Sequence, residues 1–467
     1  MSKKLVPREN RPNVSLIYSE STAGSKESKH LAYYLCGQLA STGYANMHMV
    51  GLTSDGMPAA NLPSSSSERI TYMSRGNSTK KIEVPASDVT FSHFDILAQS
   101  HVIIVTVNSE DTKLCRNKMQ QILDEKRQNK GTKITIFSLQ RGVKNSQAIK
   151  AEFDGRKDIA VIEGAIGFAV VPHPKSRAFI PTVKDPSILF ERLDKDAERI
   201  AEGPCNLLEC MDIEVYYRKV LTPFTWGVLV WENLHSINML TGGSMLGTLR
   251  NPRARLILAS MVRESTQVLQ HAARGGNWKP EFLLLSEMLT PRFFELMLCL
   301  PTWLFVLLLR LMGLAPQVEG LMSPMLIDHL EGRKSCNETQ LGELVSTADR
   351  YSCITPVCSA VYKTISDLDE NKGVTGSIGE NKLDAVESEV LASLQLLAKA
   401  SPNDAILAKN AQYFHFGMQS QAKLRSHLKR FAIYAAMIVL LYFLFVHEHE
   451  HEEALEAIPG HLDQEIL

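Results

Sequence analysis

Gly24-Ser25-Lys26 sits in a polar loop, 19–28, directly after the apolar run 14–18. A loop in that place, opening a helix, is where backbone N–H groups receive a phosphate. Gly24 is its only glycine, so no G-x-G-x-x-G can be drawn for a dinucleotide, and the upstream glycine of a P-loop is missing. His447, His449 and His451 alternate with glutamates in HEHEHEE. Such a cluster has the donors for a divalent metal, but the run reads as a solvated acidic tail, and no metal site is expected. The eight cysteines include no C-x-x-C pair; Cys205/Cys210 and Cys353/Cys358 share only a C-x4-C spacing. They read as reduced thiols. Fifty basic residues against fifty-one acidic ones give no electrostatic reason to expect nucleic acid.

These candidates need elements to hold them. At 467 residues, 45% hydrophobic and 22% charged, the chain has material for two or three folded units. Buried strands are expected at 14–18, 46–51, 100–109, 133–139 and 160–162, with 167–172 completing the set. Helices are expected at 29–39 and 113–128. Residues 63–88, rich in serine and charge, read as an exposed insertion or hairpin. Alternating strands and helices imply a doubly wound, Rossmann-like α/β domain over 1–201.

Beyond residue 202 the apolar spacing becomes helical, at 212–241 and 253–273, and no strand is expected. The second domain, 202–373, should be all-helical. A linker and amphipathic helices fill 374–430, and the helices over 383–429 offer a face to a protein partner. The stretch 296–309, broken by Pro301, leaves three readings open: a buried core segment, an interfacial helix, or a second span.

Residues 431–446, FAIYAAMIVLLYFLFV, carry no charge over sixteen residues. At about 1.5 Å per residue, that is about 24 Å of helix. Aromatics near both ends and Lys429 and Arg430 before it fit a transmembrane helix in a thin bilayer. The tail 447–467 holds seven carboxylates and neither lysine nor arginine, so the positive-inside rule leaves the body in the cytosol. The expectation is a tail-anchored protein of the endoplasmic reticulum or mitochondrial outer membrane.

Three segments resemble one family. SLQRGVKN, 138–145, resembles the S-L-Q-N-G-V turn of the ketopantoate reductases (2-dehydropantoate 2-reductases). NMLTGGSMLGTLR, 238–250, resembles the end of that family's central helix and the turn after it. SPMLIDHLEGR, 323–333, resembles its S-S-M-x-x-D-x-x-x-G-R segment. The resemblance spans roughly residues 13–372. It implies a cleft between two domains in which NADPH meets a 2-keto acid.

The positions that carry the family's chemistry are substituted here. For the cofactor, the resemblance points to Gly24, Asn108, Arg141 and Gly142: Asn108 stands where the family has a lysine, and Arg141 where it has the asparagine of its Asn-Gly turn. The family's catalytic lysine falls on Val230 when the alignment is anchored at Asn238, and on Val228 when anchored at Trp226. Lys219 is out of register. Pro324 takes the place of the substrate-binding serine and Cys336 that of the orienting acid, with Ser323 and Glu338 close by. Valine has no proton to donate, and proline offers no side-chain hydrogen bond. The expectation is therefore a membrane-tethered, ketopantoate-reductase-like binding or interaction module that has lost the reaction. The alternative is an active NADP-dependent oxidoreductase acting on a 2-keto acid or a more hydrophobic carbonyl compound.

Overall fold

The computed structural model describes residues 7–400 except 21–23, 54–69, 75–76, 126–132, 177, 184, 193–194, 274–280, 282–289, 313–319 and 371–379. The segments expected at 402–429 and 431–446 and the tail 447–467 lie outside the described residues.

An eight-stranded sheet organises the first half. Its strands are β1 (Asn13–Ser19), β2 (Asn46–Leu52), β5 (Val89–Phe91), β6 (Val102–Val105), β7 (Ile134–Ser138), β8 (Ile159–Ile166), β11 (Ser187–Glu191) and β12 (Glu214–Arg218). They run in the order β12-β11-β8-β7-β6-β1-β2-β5. From β8 to β5 every pairing is parallel, and β11 joins β8 antiparallel. Along β1, Val14, Leu16 and Tyr18 pack with Leu35 and Leu39 of α1 (Glu27–Thr42), while Ile17 joins Met119 of α2 (Thr112–Glu125) and Ile149 of α3 (Val143–Glu152). The alternation is the strand period of two, with helices covering both faces. Strand order reverses between β1 and β6, so the crevice beyond their C-terminal ends is where an open α/β sheet takes a ligand.

A smaller sheet, in the order β4-β3-β10-β9, combines β3 (Thr71–Ser74) and β4 (Asn77–Glu83) with β9 (Val170–Pro172) and β10 (Phe179–Pro181). The stretch 63–88 thus contains a hairpin, as one of its two readings had it. Residues 167–172, expected in the main sheet, instead supply β9 of this one. Tyr72 of β3 is buried against α1, where a Cβ on Gly37 would come within 2.7 Å of its ring.

After α4 (Lys195–Glu209) comes β12, a correction to the reading of 212–241 as helix throughout and to a boundary at 201: the sheet continues to Arg218. The helices that follow are α5 (Thr222–Thr241), α6 (Met245–Arg250), α7 (Pro252–Ala272), α8 (Pro291–Leu298), α9 (Thr302–Leu311), α10 (Pro324–Leu330), α11 (Glu343–Arg350), α12 (Pro356–Glu370) and α13 (Glu380–Ala400). Every residue of α5 from Trp226 to Leu240 is buried, which is why its apolar residues lie all round the helix. The stretch 296–309 covers parts of two helices: α8 stops at Leu298, and Pro301 stands at the N-cap of α9. No helix among the described residues is long and apolar enough to cross a membrane.

Candidate functional site

The crevice at the end of β1 and β6 is crossed by hydrogen bonds. Asn108 follows β6; its N–H donates to Ser19 Oγ at 2.9 Å and its side-chain amide donates to Ser25 O at 2.8 Å. Asn108 therefore ties the end of β6 to the loop that opens α1. Gly24 in that loop is buried.

The N-terminus of α1 meets a carboxylate of the chain itself. Ser25 Oγ donates to Asp328 Oδ2 at 2.5 Å, and the Lys26 N–H approaches Asp328 Oδ1 at 3.2 Å. Arg333 holds the same carboxylate through Nε at 2.9 Å and Nη2 at 2.7 Å. Asp328 and Arg333 are both buried. Burial raises the Asp328 carboxyl to about 6, with Ser25 and Arg333 pulling the other way. Unpaired N–H groups and the helix dipole make such a terminus an anion site, and here Asp328 supplies the anion.

The same arrangement recurs at α3. The Val143 N–H donates to Glu343 Oε2 at 2.9 Å and the Lys144 N–H to Oε1 at 3.3 Å. Gly142 before them has φ +82°, and a Cβ there would stand 2.7 Å from Glu343 Oε2, so glycine is required by conformation and by space. Beside it, Arg141 pairs with Glu232 of α5, lies 3.1 Å from Glu27 of α1, and donates to the carbonyls of Ile166 and Phe168. Burial raises the Glu232 carboxyl against the pull of Arg141. His235, one turn along α5, is buried with both ring nitrogens lacking a hydrogen-bond partner. Burial lowers it to about 4, so its imidazole is neutral at pH 7.

Between these contacts remains a cavity of about 230 Å³, bordered by Ser25, Glu27, Asn108, Arg141, Cys336 and Glu338. Sites for drug-sized ligands run to about 300–1,000 Å³, and a nicotinamide dinucleotide is larger than most such ligands. The residues present do not fit a dinucleotide at the head of α1: its pyrophosphate would have to displace Asp328.

With sheet order, crevice and helical half in place, the chain can be set beside known structures. No family model and no curated protein matches the sequence. Among solved structures, a D-mandelate dehydrogenase with NADH and anilino(oxo)acetate matches at TM-score 0.53 and 12% identity, over 77% of this chain and 100% of that one. A ketopantoate reductase from Ralstonia eutropha JMP134 matches at TM-score 0.51 and 13% identity, over 76% of this chain and 99% of that one. The fold is that of the ketopantoate reductases. At such identity the likeness establishes architecture and leaves the chemistry to this chain's own residues.

On the ketopantoate reductase fold, the residues that the sequence singled out take the following places. Val230 is fully buried, and Val228 is buried beside it on α5. Asn238 clamps three elements: its amide donates to Gly243 O at 2.9 Å and Thr248 Oγ1 at 2.8 Å, and its Oδ1 accepts from the Ser323 N–H at 2.8 Å. Ser323 caps α10, accepting from Leu326 N–H, and Pro324 starts that helix. Asn238 and Ser323 thus hold structure together, while Cys336, Glu338, Asn108 and Arg141 border the cavity. Burial pushes the Cys336 thiol up, with Glu27, Asp328 and Glu232 adding to it, so it stays protonated at neutral pH. Glu338 accepts from the Tyr362 hydroxyl at 2.5 Å. Lys219 is exposed in the connection between β12 and α5. Glu27, Glu232, His235 and Glu343 were not read from the sequence; the three glutamates gain their roles from partners remote in the chain, and His235 is set apart only by its burial without a partner.

Proposed function

We propose that this protein uses a ketopantoate reductase fold as a non-reducing binding module, tethered to a membrane by residues 431–446. The observation that carries the first half is the Asp328 carboxylate on Ser25 and Lys26 at the head of α1, where a dinucleotide on this architecture would place its pyrophosphate. Glu343 at α3 and the pairing of Arg141 with Glu232 add to it, because each engages a group otherwise free for a ligand. Valine at both 228 and 230 leaves the central helix without a proton donor at either register. The tether rests on the uncharged sixteen-residue run, with its basic approach and acidic tail.

The solved mandelate dehydrogenase holds NADH, so nicotinamide cofactors are the ligands to test first. Titrating the purified full-length chain with NADPH and with NADH, followed by fluorescence, should give no saturable binding at micromolar concentrations. Ketopantoate should produce no NADPH oxidation, in the wild type or in Val228→Lys and Val230→Lys. A general acid contributes about 100- to 10,000-fold, but only to a substrate already held beside its cofactor. A low-micromolar dissociation constant for either nucleotide, or wild-type turnover, would sink the proposal.

A further inference from the structure

On α9, Trp303, Leu307 and Leu311 recur at intervals of four and form one outward stripe. Trp303 is 67% exposed, Leu307 45% and Leu311 44%, and on α8 Leu296 is 44% exposed. A helix that packs its inner face, here Leu304, Phe305 and Leu309, ordinarily turns polar residues outward. α9 has none on that stripe.

Among the described residues of α8 and α9, the free charge is of one sign. Arg292 on α8 and Arg310 on α9 are exposed, and the only acid on the two helices, Glu295, is paired with Arg263. Beneath the first turn of α9 lies Arg255 of α7, 3% exposed, with no carboxylate against it among the described residues. Its Nη2 donates to Thr302 Oγ1 at 3.0 Å and its guanidinium carbon lies 4.9 Å from the centre of the Phe305 ring, while Nε and Nη1 lack a hydrogen-bond partner. Burial lowers it to about 10, which leaves it charged at pH 7. The positive end of the α9 dipole adds to this potential.

A tryptophan and leucines facing outward, with arginines at their margin and no free acid among the described residues of α8 and α9, have the composition of a helix lying in a lipid interface. Apart from the Trp303 indole N–H, a group that suits the polar boundary of a bilayer, the stripe offers a protein partner no hydrogen-bonding side chain. We propose that the α8–α9 surface docks on an anionic phospholipid bilayer, with Trp303, Leu307 and Leu311 entering the interface. The surface would act independently of the tether at 431–446 and would fix how the body sits on the membrane.

The test uses the full-length chain with vesicles of phosphatidylcholine containing about a third phosphatidylglycerol, some of the acyl chains being brominated to quench nearby tryptophan. Wild type should show a quenched component that Trp303→Phe lacks, and the difference should shrink as salt rises. Equal quenching in both proteins would overturn the docking surface, even if both float with the vesicles through the tether. Flotation on anionic but not on neutral vesicles, with the Trp303 component present, would sink the tether and keep the surface. Failure to float on either overturns both. Shielding of Trp303 from aqueous iodide that grows with protein concentration in the absence of lipid would assign the stripe to a second copy of the chain, and would also overturn the proposal.

Discussion

Asp328 performs a task that reads oddly for a residue in a ligand-binding fold, because it spends its charge inside the protein. Its carboxylate satisfies the Ser25 hydroxyl and the Lys26 amide and shares the buried Arg333 with Glu331, so its removal strips a helix terminus and leaves the guanidinium with Glu331 alone. Breaking a buried pair by deleting one partner costs about 3–5 kcal/mol, far more than a surface pair. Asp328→Ala should therefore lower the unfolding free energy by that amount in urea titrations, with Asp328→Asn milder because it keeps an acceptor. A loss below about 1 kcal/mol would mean that water replaces the carboxylate and that the α1 terminus is open to a ligand after all. None of this was visible locally: Ser25 and Asp328 are 303 residues apart, and the motif containing Asp328 drew notice for its serine position.

Carboxylates at helix N-termini recur among the elements. Asp328 serves α1, Glu343 serves α3, and Glu264 of α7 accepts from the Val357 and Cys358 amides at the start of α12. Glu264 is 4% exposed, and burial raises it from 4.5 to about 7 despite those two hydrogen bonds. Its native pKa thus lies above its unfolded one, so the folded protein holds the proton more tightly. The stability this contributes is complete below pH 4.5 and is lost as pH rises to about 7, a change of roughly 3 kcal/mol for a shift of that size. Urea titrations from pH 5 to 8 should show stability falling with pH, and Glu264→Gln should flatten that slope; an unchanged slope would remove Glu264 as its cause. Elements were legible where their pattern was strong, as in the alternation along β1 and the continuous apolar run of β6. β12 was missed because it lies at the sheet edge, half-exposed, and runs within four residues into a helix with proline in its first turn. The three-residue strand β10 is shorter than any period can mark, and β9 lay within the expected segment 167–172 but in the other sheet.

At the scale of the whole molecule, the α/β and helical halves are held shut by contacts that run from one to the other: Asp328 to α1, Glu343 to α3, Glu232 to Arg141. A cleft closed in this way favours a role decided by where the body is placed, which makes the tether the next quantity to measure. Were residues 431–446 a spanning helix, as proposed, they would reach about 24 Å at about 1.5 Å per residue, against a hydrocarbon core of about 30 Å, a mismatch that snorkelling of Lys429 and Arg430 would absorb. The α8–α9 surface depends on anionic lipid and low salt, whereas a spanning helix depends on neither. Vesicles of phosphatidylcholine alone, at high salt, therefore isolate the tether. Under those conditions the full-length chain should float with the vesicles and a chain lacking 431–467 should stay in the soluble fraction, with the unchanged urea midpoint expected of a body that does not pack on its own span. If the shortened chain floats equally well, the anchor lies elsewhere and the reading of 431–446 as a span fails; if it stays soluble but unfolds at lower urea, the segment is part of the folded body instead.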